Sequence, residues 1–148
     1  MTLQERLQAD LKNAMRDRDQ TRKSVIRFVR AAIHDKEIEI QASLDDEGVI
    51  AVLVRQAQQR RDSIEAFEQA DRRDLSEKEK AELTIIQQYL PEQMSESDIR
   101  DLVQDAIETT SASGPHDMGK VMQQVMPQIK GKAPGKIVSQ IAQELLRS

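Results

Sequence analysis

Several residue types that commonly carry chemistry are missing or rare in this 148-residue chain. It has no cysteine, which excludes disulfides, thiol catalysis and cysteine-based metal sites, and its two histidines are too few for a multi-histidine metal centre. Its aromatic residues are two phenylalanines and one tyrosine, so a sheet that stacks RNA bases on exposed rings is disfavoured. Five glycines and four prolines are also few for the tight turns of an all-β fold. We expect neither a metal site nor a cofactor.

Long apolar runs are absent as well. The opening MTLQERLQAD lacks the apolar segment of a signal peptide, and no stretch is long enough to cross a membrane. With 38% hydrophobic and 32% charged residues the chain is polar, but it contains enough Leu, Ile, Val and Met to fold. These features predict a soluble protein in the cytoplasm, without a membrane partner.

Apolar residues recur at helical spacing along the chain. Leu3, Leu7 and Leu11 repeat every four residues, and similar stripes continue to about Ile40 and then to about residue 70. Serine or threonine followed three residues later by an acid is the capping-box spacing, which predicts helix starts. It occurs at Thr2/Glu5, Ser76/Glu79 and Ser95/Asp98. No strand-like alternation is present, so the predicted fold class is all-α.

The predicted helices fall into two groups. Pro91 ends one helical stretch, because proline disfavours helical backbone at the residue before it. We expect an N-terminal long-helix bundle over residues 1–90 and a smaller C-terminal helical subdomain over residues 95–148. Within the second group, the segments TTSASGP (109–115) and KGKAPGK (130–136) are predicted to be loops.

The net charge of −4 is spread unevenly. Residues 91–113 carry one base and six acids, whereas residues 114–148 carry five bases and two acids. Four of these bases are lysines close to glycines: Lys120, Lys130, Lys132 and Lys136. A loop that contains Gly131 and Gly135 and runs into a helix start can offer backbone N–H groups to an anion, and the lysines would raise the positive potential there. The competing interpretation is a solvated linker.

A second positive pattern lies on the predicted second helix. Lys23, Arg27, Arg30 and His34 share one helical face, which could follow a phosphate backbone. Acidic residues at positions 35, 37 and 39 dilute this charge and favour a solvated face.

One arginine occupies an apolar helical face. Arg60 lies between Ala57 and Ile64 on the predicted third helix. Because arginine is seldom buried unpaired, we expect an acidic group or a backbone carbonyl within hydrogen-bond distance, in a structural role.

The segment from Gly114 to Lys120 has the spacing of a phosphate-binding P-loop up to its lysine. Val121 stands where that motif needs serine or threonine, and no strand precedes it, so nucleotide hydrolysis is disfavoured. We interpret the segment as a helix start that is capped by Asp117, with Gly119 allowing close packing. No nucleophile beside a base can be assembled from the chain, so no catalytic residues are predicted.

Three blocks of sequence resemble the YqeY family, also called the GatB/YqeY family. They are QRRDSIEAF (59–67), IIQQYLPEQMSE (85–96) and HDMGKVMQQVMPQIKGKAPGK (116–136), and RKSVIRFVRAAI (22–33) fits as well. The resemblance covers essentially the whole chain in unbroken order. It implies a free-standing helical protein whose C-terminal part is similar to the tail of the GatB subunit of glutamine-dependent aminoacyl-tRNA amidotransferase, a helical appendage that contacts tRNA.

The resemblance also implies which residues bind RNA. The positions that match the tail are Gly119, Lys120, Val121 and Met122, then Gly131, Lys132 and Ala133, then Gly135, Lys136 and Val138. The chain is therefore expected to bind tRNA or another structured RNA, not DNA, as an accessory module related to the amidotransferase. The expected RNA-binding residues are Lys120, Lys130, Lys132, Lys136, Gly131 and Gly135.

Such proteins are also commonly assigned a carbon–nitrogen ligase activity with glutamine as amide donor. In the amidotransferase, that reaction uses a kinase-like domain and an amidase partner, and this chain has room for neither. We interpret the activity as inherited from the GatB resemblance and expect no catalysis by the chain alone.

The alternative function is a helical protein-interaction adaptor, in which the N-terminal bundle docks onto a partner protein. Salt dependence separates the two functions. RNA binding through several lysines weakens steeply as salt rises, whereas an apolar helix-in-groove contact does not.

Overall fold

The structure, a computed structural model, describes residues 1–147 as seven α-helices and one 3₁₀ turn, with no strand among them. The all-α fold class is therefore confirmed. The helices are α1 (Leu3–Arg16), α2 (Gln20–Ile40), α3 (Asp46–Gln69), α4 (Arg73–Gln87), α5 (Glu96–Thr110), α6 (Met118–Ile129) and α7 (Gly135–Arg147), and the 3₁₀ turn is Pro115–Asp117.

The chain forms two compact units, the first over Met1–Leu90 and the second from Pro91 onward. Ser148, the last residue of the predicted C-terminal subdomain, lies outside the described residues. The core of the first unit takes apolar residues from α1 to α4: Leu7, Leu11, Val25, Ile26, Val29, Ile33, Val49, Leu53, Ala57, Ile86 and Tyr89. The core of the second unit is wholly aliphatic: Ile99, Val103, Ala106, Val121, Val125, Ile129, Ala133, Val138, Ile141, Ala142 and Leu146.

Two of the three predicted capping boxes begin helices. The Thr2 hydroxyl accepts the Glu5 N–H at the start of α1, and at α5 Ser95 and Asp98 exchange both bonds of the box. The third prediction is wrong, because α4 begins at Arg73, three residues before Ser76. Ser76 is buried inside the helix, and its hydroxyl donates back to the carbonyl of Arg73 at 3.2 Å.

Four helices end without glycine at the position that usually requires it. At each of these ends the C-cap residue or the one after it is left-handed, and the next N–H reaches back to the last turn. The left-handed residues are Arg18, Gln41, Asp71 and Ser111, with φ between 54° and 57°. At α1, for example, the N–H of Arg18 donates to Met15 and that of Asp19 to Ala14. Left-handed backbone costs an ordinary residue about 1–2 kcal/mol, so these ends carry strain that glycine would relieve.

Arg60 has the acidic partners that the sequence predicts. Its Nε lies 3.2 Å from Glu82 and 3.7 Å from Glu79, both on α4. Burial and the neighbouring Glu82 carboxylate raise the pKa of Glu79 above its ordinary value. This cluster joins α3 to α4, and the Arg60 guanidinium also lies 5.2 Å from the ring centre of Phe28 on α2.

Two further polar contacts join distant parts of the first unit. The Tyr89 hydroxyl donates to the Asp10 carboxylate, and burial together with that contact raises the pKa of Tyr89 to about 12. The Glu37 carboxylate accepts the Leu44 N–H at 2.8 Å and the Gln4 amide at 3.2 Å, which lowers the pKa of Glu37. The two bonds to Glu37 together hold the turn between α2 and α3 against α1.

Replacing the left-handed residue after α1 should stabilise the first unit. We expect Arg18→Gly to raise the free energy of unfolding by roughly 0.5–1 kcal/mol, because relief of the left-handed strain exceeds the entropic cost of glycine. Arg16→Gly, the matched control inside the same helix, should lower it by about 1 kcal/mol. Urea unfolding measures both, and equal effects of the two substitutions would contradict this account.

Glu37 should make the first unit sensitive to acid. Because its folded pKa lies below the ordinary 4.5, its stabilising effect is complete above that pH and is lost as pH falls through the folded pKa. Glu37→Gln should therefore lower the melting temperature at pH 7, and the gap to the wild type should close as pH drops below 4.5. Glu39→Gln, at an exposed ion pair with Lys36, is the control and should change little at either pH. A gap that is constant with pH would rule out a role for the Glu37 charge.

Candidate nucleic-acid interface

The connection between α6 and α7 presents lysines on a tightly folded turn. We call residues 130–136 the basic turn; it contains three lysines and no acidic residue. Gly131 is left-handed, with φ of 75°, and this lets the Ile129 carbonyl accept the N–H groups of Lys132 at 2.8 Å and Ala133 at 3.1 Å. Gly131 and Ala133 are buried, whereas Lys130 and Lys132 are exposed, so the alternation turns the cations to the surface.

A short segment before α5 fastens the basic turn. The Gln93 side-chain amide donates to the Gly131 carbonyl at 2.8 Å and to the Pro91 carbonyl at 2.7 Å. The Met94 N–H donates to the Lys132 carbonyl at 2.9 Å. Two carbonyls of the turn are thus engaged within the protein, and the turn is held in one shape. The sequence interpretation missed these contacts because they join residues about forty positions apart.

Lys120 lies away from the other three predicted lysines. It is in the first turn of α6, about 15 Å along the helix from Lys130 at the other end. Its ammonium is 3.7 Å from the Asp117 carboxylate. Asp117 also accepts the N–H of Ser113 at 2.9 Å, the main reason its pKa is lowered. The structure therefore groups Lys130, Lys132 and Lys136 and separates Lys120 from them.

Two expectations about the start of α6 are wrong. Asp117 makes no side-chain capping bond to α6, because its carboxylate is turned to Ser113. Gly119 does not allow close packing either, since it is exposed and an added Cβ would meet nothing within 4 Å.

Gly135 differs from Gly131 although the sequence interpretation paired them. It is the first residue of α7, it is exposed, and an added Cβ there would also meet nothing within 4 Å. Neither a left-handed backbone nor internal packing requires glycine at this position. What glycine provides here is an uncovered backbone at a helix start, where N–H groups can approach an anion.

The acidic residues of the second unit lie on another element. The exposed side of α5 carries Glu96, Asp98, Asp101, Asp105 and Glu108. Arg100 on α5 contacts Glu96 at 3.1 Å and Glu144 at 2.9 Å. The uneven charge seen in the sequence is therefore an uneven charge in space, with an acidic helix and a separate basic turn.

Two other kinds of site find no support in the described chain. Within residues 1–147 there is no group of three or more histidine, aspartate or glutamate side chains placed to hold a metal ion. In the same range, no helix has the length and apolar character needed to cross a membrane.

Comparison with known proteins gives a family match over nearly the whole chain. Residues 4–146 match the family described as "Yqey-like protein". The chain is 38% identical over 144 residues to "Altered inheritance of mitochondria protein 41, mitochondrial" of Pyrenophora tritici-repentis, a match that covers 95% of this chain and 79% of that protein. Proteins of the same name from Lachancea thermotolerans and Kluyveromyces lactis are 41% and 40% identical over 85 and 84 residues. Those two matches cover 57% and 56% of this chain and less than half of each relative, 46% and 45%.

The prediction of a cytoplasmic location is wrong by this comparison, because the relatives are named as mitochondrial proteins. The lack of an apolar run argues only against secretory and membrane-spanning segments, because mitochondrial targeting segments are amphipathic rather than apolar.

Replacing each glycine of the basic turn with alanine should have opposite effects on the stability of the second unit. Gly131→Ala should lower the stability of the second unit by about 1–2 kcal/mol, because alanine is strained at a left-handed position. Gly135→Ala should leave stability unchanged or raise it by about 0.4–1 kcal/mol, because the new methyl group meets nothing. Chemical unfolding followed by far-UV circular dichroism measures both, and a loss of stability at Gly135 equal to that at Gly131 would contradict this distinction.

Proposed function

The chain belongs to the YqeY-like protein family, and from this premise we propose that it is an accessory module that binds structured RNA, with tRNA as the expected ligand. The observation that carries the proposal is the basic turn, where three lysines and no acid stand on a fixed loop leading into a helix start. The resemblance of Lys132, Gly135 and Lys136 to the GatB tail supports the same assignment and is the basis for the link to the tRNA amidotransferase.

The turn suits a phosphate backbone better than a base edge. Lysine ammonium groups contact phosphates as point charges, and the open space beside Gly135 lets an oxygen approach the first turn of α7 closely. Duplex RNA is recognised mostly through its shape and backbone, so the absence of aromatic residues from the second unit is compatible with this ligand. Lys120 would form a separate contact farther along α6.

We assign no chemical step to the chain. Residues 130–136 consist of lysine, glycine, alanine and proline, and they include no carboxylate, imidazole or hydroxyl that could work as an acid or a base beside the lysines. Amide transfer to tRNA, if the chain takes part in it, would be carried out by a partner enzyme.

The rival function, a protein-interaction adaptor, is favoured by one observation. Ile38 and Ile40 near the end of α2 are large apolar residues, and they are 63% and 45% exposed to solvent. An apolar contact there would bind a partner protein with little dependence on salt.

Reversing the charge of the basic turn should abolish RNA binding. We expect the triple variant Lys130→Glu, Lys132→Glu and Lys136→Glu to weaken binding to total tRNA by at least ~10-fold. The slope of log affinity against log salt concentration should become shallower by about two to three. Lys120→Glu alone should have a smaller effect, because it changes one charge at the other end of α6 and leaves the basic turn intact. Fluorescence anisotropy at two salt concentrations, with duplex DNA as competitor, measures both.

The control for this experiment reverses three positive charges on the first unit: Lys12→Glu, Arg55→Glu and Lys78→Glu. It should leave tRNA affinity near the wild-type value. Equal weakening by both triple variants would show a general charge effect and reject the basic turn as the site. Absence of tRNA binding by the wild type at low salt would reject RNA binding and favour the adaptor. Gly135→Ala adds a finer test, since it should weaken tRNA binding without lowering stability.

A further inference from the structure

One face of α2 carries a row of basic side chains. Lys23, Arg27, Arg30 and His34 lie within roughly a 60° arc of the helix and span about 16 Å along it. The last three are exposed and Lys23 is half-buried. In the described part of the chain, no ion pair involves Lys23, Arg27 or Arg30. We call these four residues the α2 cations.

The acids that the sequence places beside the α2 cations also have contacts with other parts of the first unit. Glu37 accepts hydrogen bonds from Leu44 and Gln4, and Glu39 pairs with Lys36 at 3.4 Å. Asp35 lines the groove between α2 and α3. Glu37 and Glu5 of α1 line one cleft with Arg30 and His34, and neither acid forms an ion pair with Arg30. Glu37 does interact electrostatically with His34. The expectation that nearby acids dilute this charge therefore applies at the His34 end of the face, whereas no acid within residues 1–147 forms an ion pair with Lys23, Arg27 or Arg30.

An exposed aromatic ring lies on the neighbouring side of α2, about 100° around the helix from Arg27. Phe28 is 57% exposed, which is unusual for a large apolar side chain in a folded unit. One face of its ring is covered by the guanidinium of Arg60, which Glu82 and Glu79 hold in place. The ring is thus backed by a fixed cation and open to solvent elsewhere.

Small side chains separate the ring from the cations. Around the helix, Ser24 and Ala31 fall between Phe28 and Arg27, and both are exposed. They form a low strip with Arg27 on one side and the aromatic ring on the other. Asp35, one turn beyond Ala31 in the same sector of the helix, ends the strip toward the C-terminus of α2. That pairing of a positively charged track with a stacking ring is how proteins bind single-stranded nucleic acid.

The geometry points to a binding site for single-stranded nucleic acid along α2, with backbone phosphates on the α2 cations and one base stacked on Phe28. A lipid surface or an acidic protein would use the cations alone and would leave the ring and the strip without a role. The site contains no residue of the basic turn. This assignment therefore goes beyond the proposed function, and the two can be tested separately.

The experiment uses the full chain and a fluorescent ten-residue oligouridylate, with oligothymidylate of the same length as a second probe. Arg27→Glu with Arg30→Glu should weaken oligouridylate binding by at least ~10-fold. The slope of log affinity against log salt concentration should become shallower by about 1.4, the value for two phosphate contacts on a single strand. Phe28→Ala should weaken binding at least ~5-fold with an unchanged salt dependence, because stacking involves no counterion release. Phe28→Leu keeps an apolar side chain under Arg60 and should weaken binding in the same way if Phe28→Ala lowers stability.

The control is Arg55→Glu with Lys78→Glu, which changes the net charge equally on other helices and should not alter binding. Similar affinities for both oligonucleotides would support a site that reads phosphates and bases, and preference for oligouridylate would add recognition of the ribose. Binding that survives reversal of Arg27 and Arg30, or that Phe28→Ala and Phe28→Leu leave unchanged, would overturn the proposal. So would binding to phosphatidylserine vesicles without binding to either oligonucleotide. Loss of tRNA binding in the basic-turn variant, with oligouridylate binding retained, would separate the two sites.

Discussion

The left-handed backbone at Gly131 is the constraint on which the exposed chemistry of the second unit depends. It reverses the chain directly after α6, so that one buried carbonyl, that of Ile129, accepts two N–H groups. The same geometry leaves the carbonyls of Gly131 and Lys132 pointing to the segment before α5, where Gln93 and Met94 bind them. Because these bonds fix the turn, its backbone would not have to be ordered when an anion binds, which lowers the entropic cost of binding.

Local patterns in the sequence were sufficient for most of the fold. Apolar periodicity predicts the helices, and the capping spacings at Thr2 and Ser95 mark true helix starts, because both depend on residues within one turn. The same spacing misleads at Ser76, where the chain is already helical. The four left-handed helix ends could not be predicted either, since the sequence gives a signal there only when the residue is glycine.

The candidate sites were predictable only in part, and the reason is distance along the chain. The lysines of the basic turn stand out as a local charge cluster, and Arg60 stands out as an arginine on an apolar stripe, so its acidic partners could be expected. Gln93 carries no such mark, and its bond to Gly131 joins residues 38 positions apart. Glu37 is a similar case, because its contacts with Leu44 and Gln4 form only once the turn before α3 is folded against α1.

The placement of the few aromatic residues has a consequence for how the two units can be observed. Phe28, Phe67 and Tyr89 all belong to the first unit, and the core of the second is wholly aliphatic. Tyrosine absorbance and near-ultraviolet circular dichroism therefore report on the first unit alone, while backbone signals report on both. A difference between melting curves from the two kinds of signal would distinguish the unfolding of the two units without any added label.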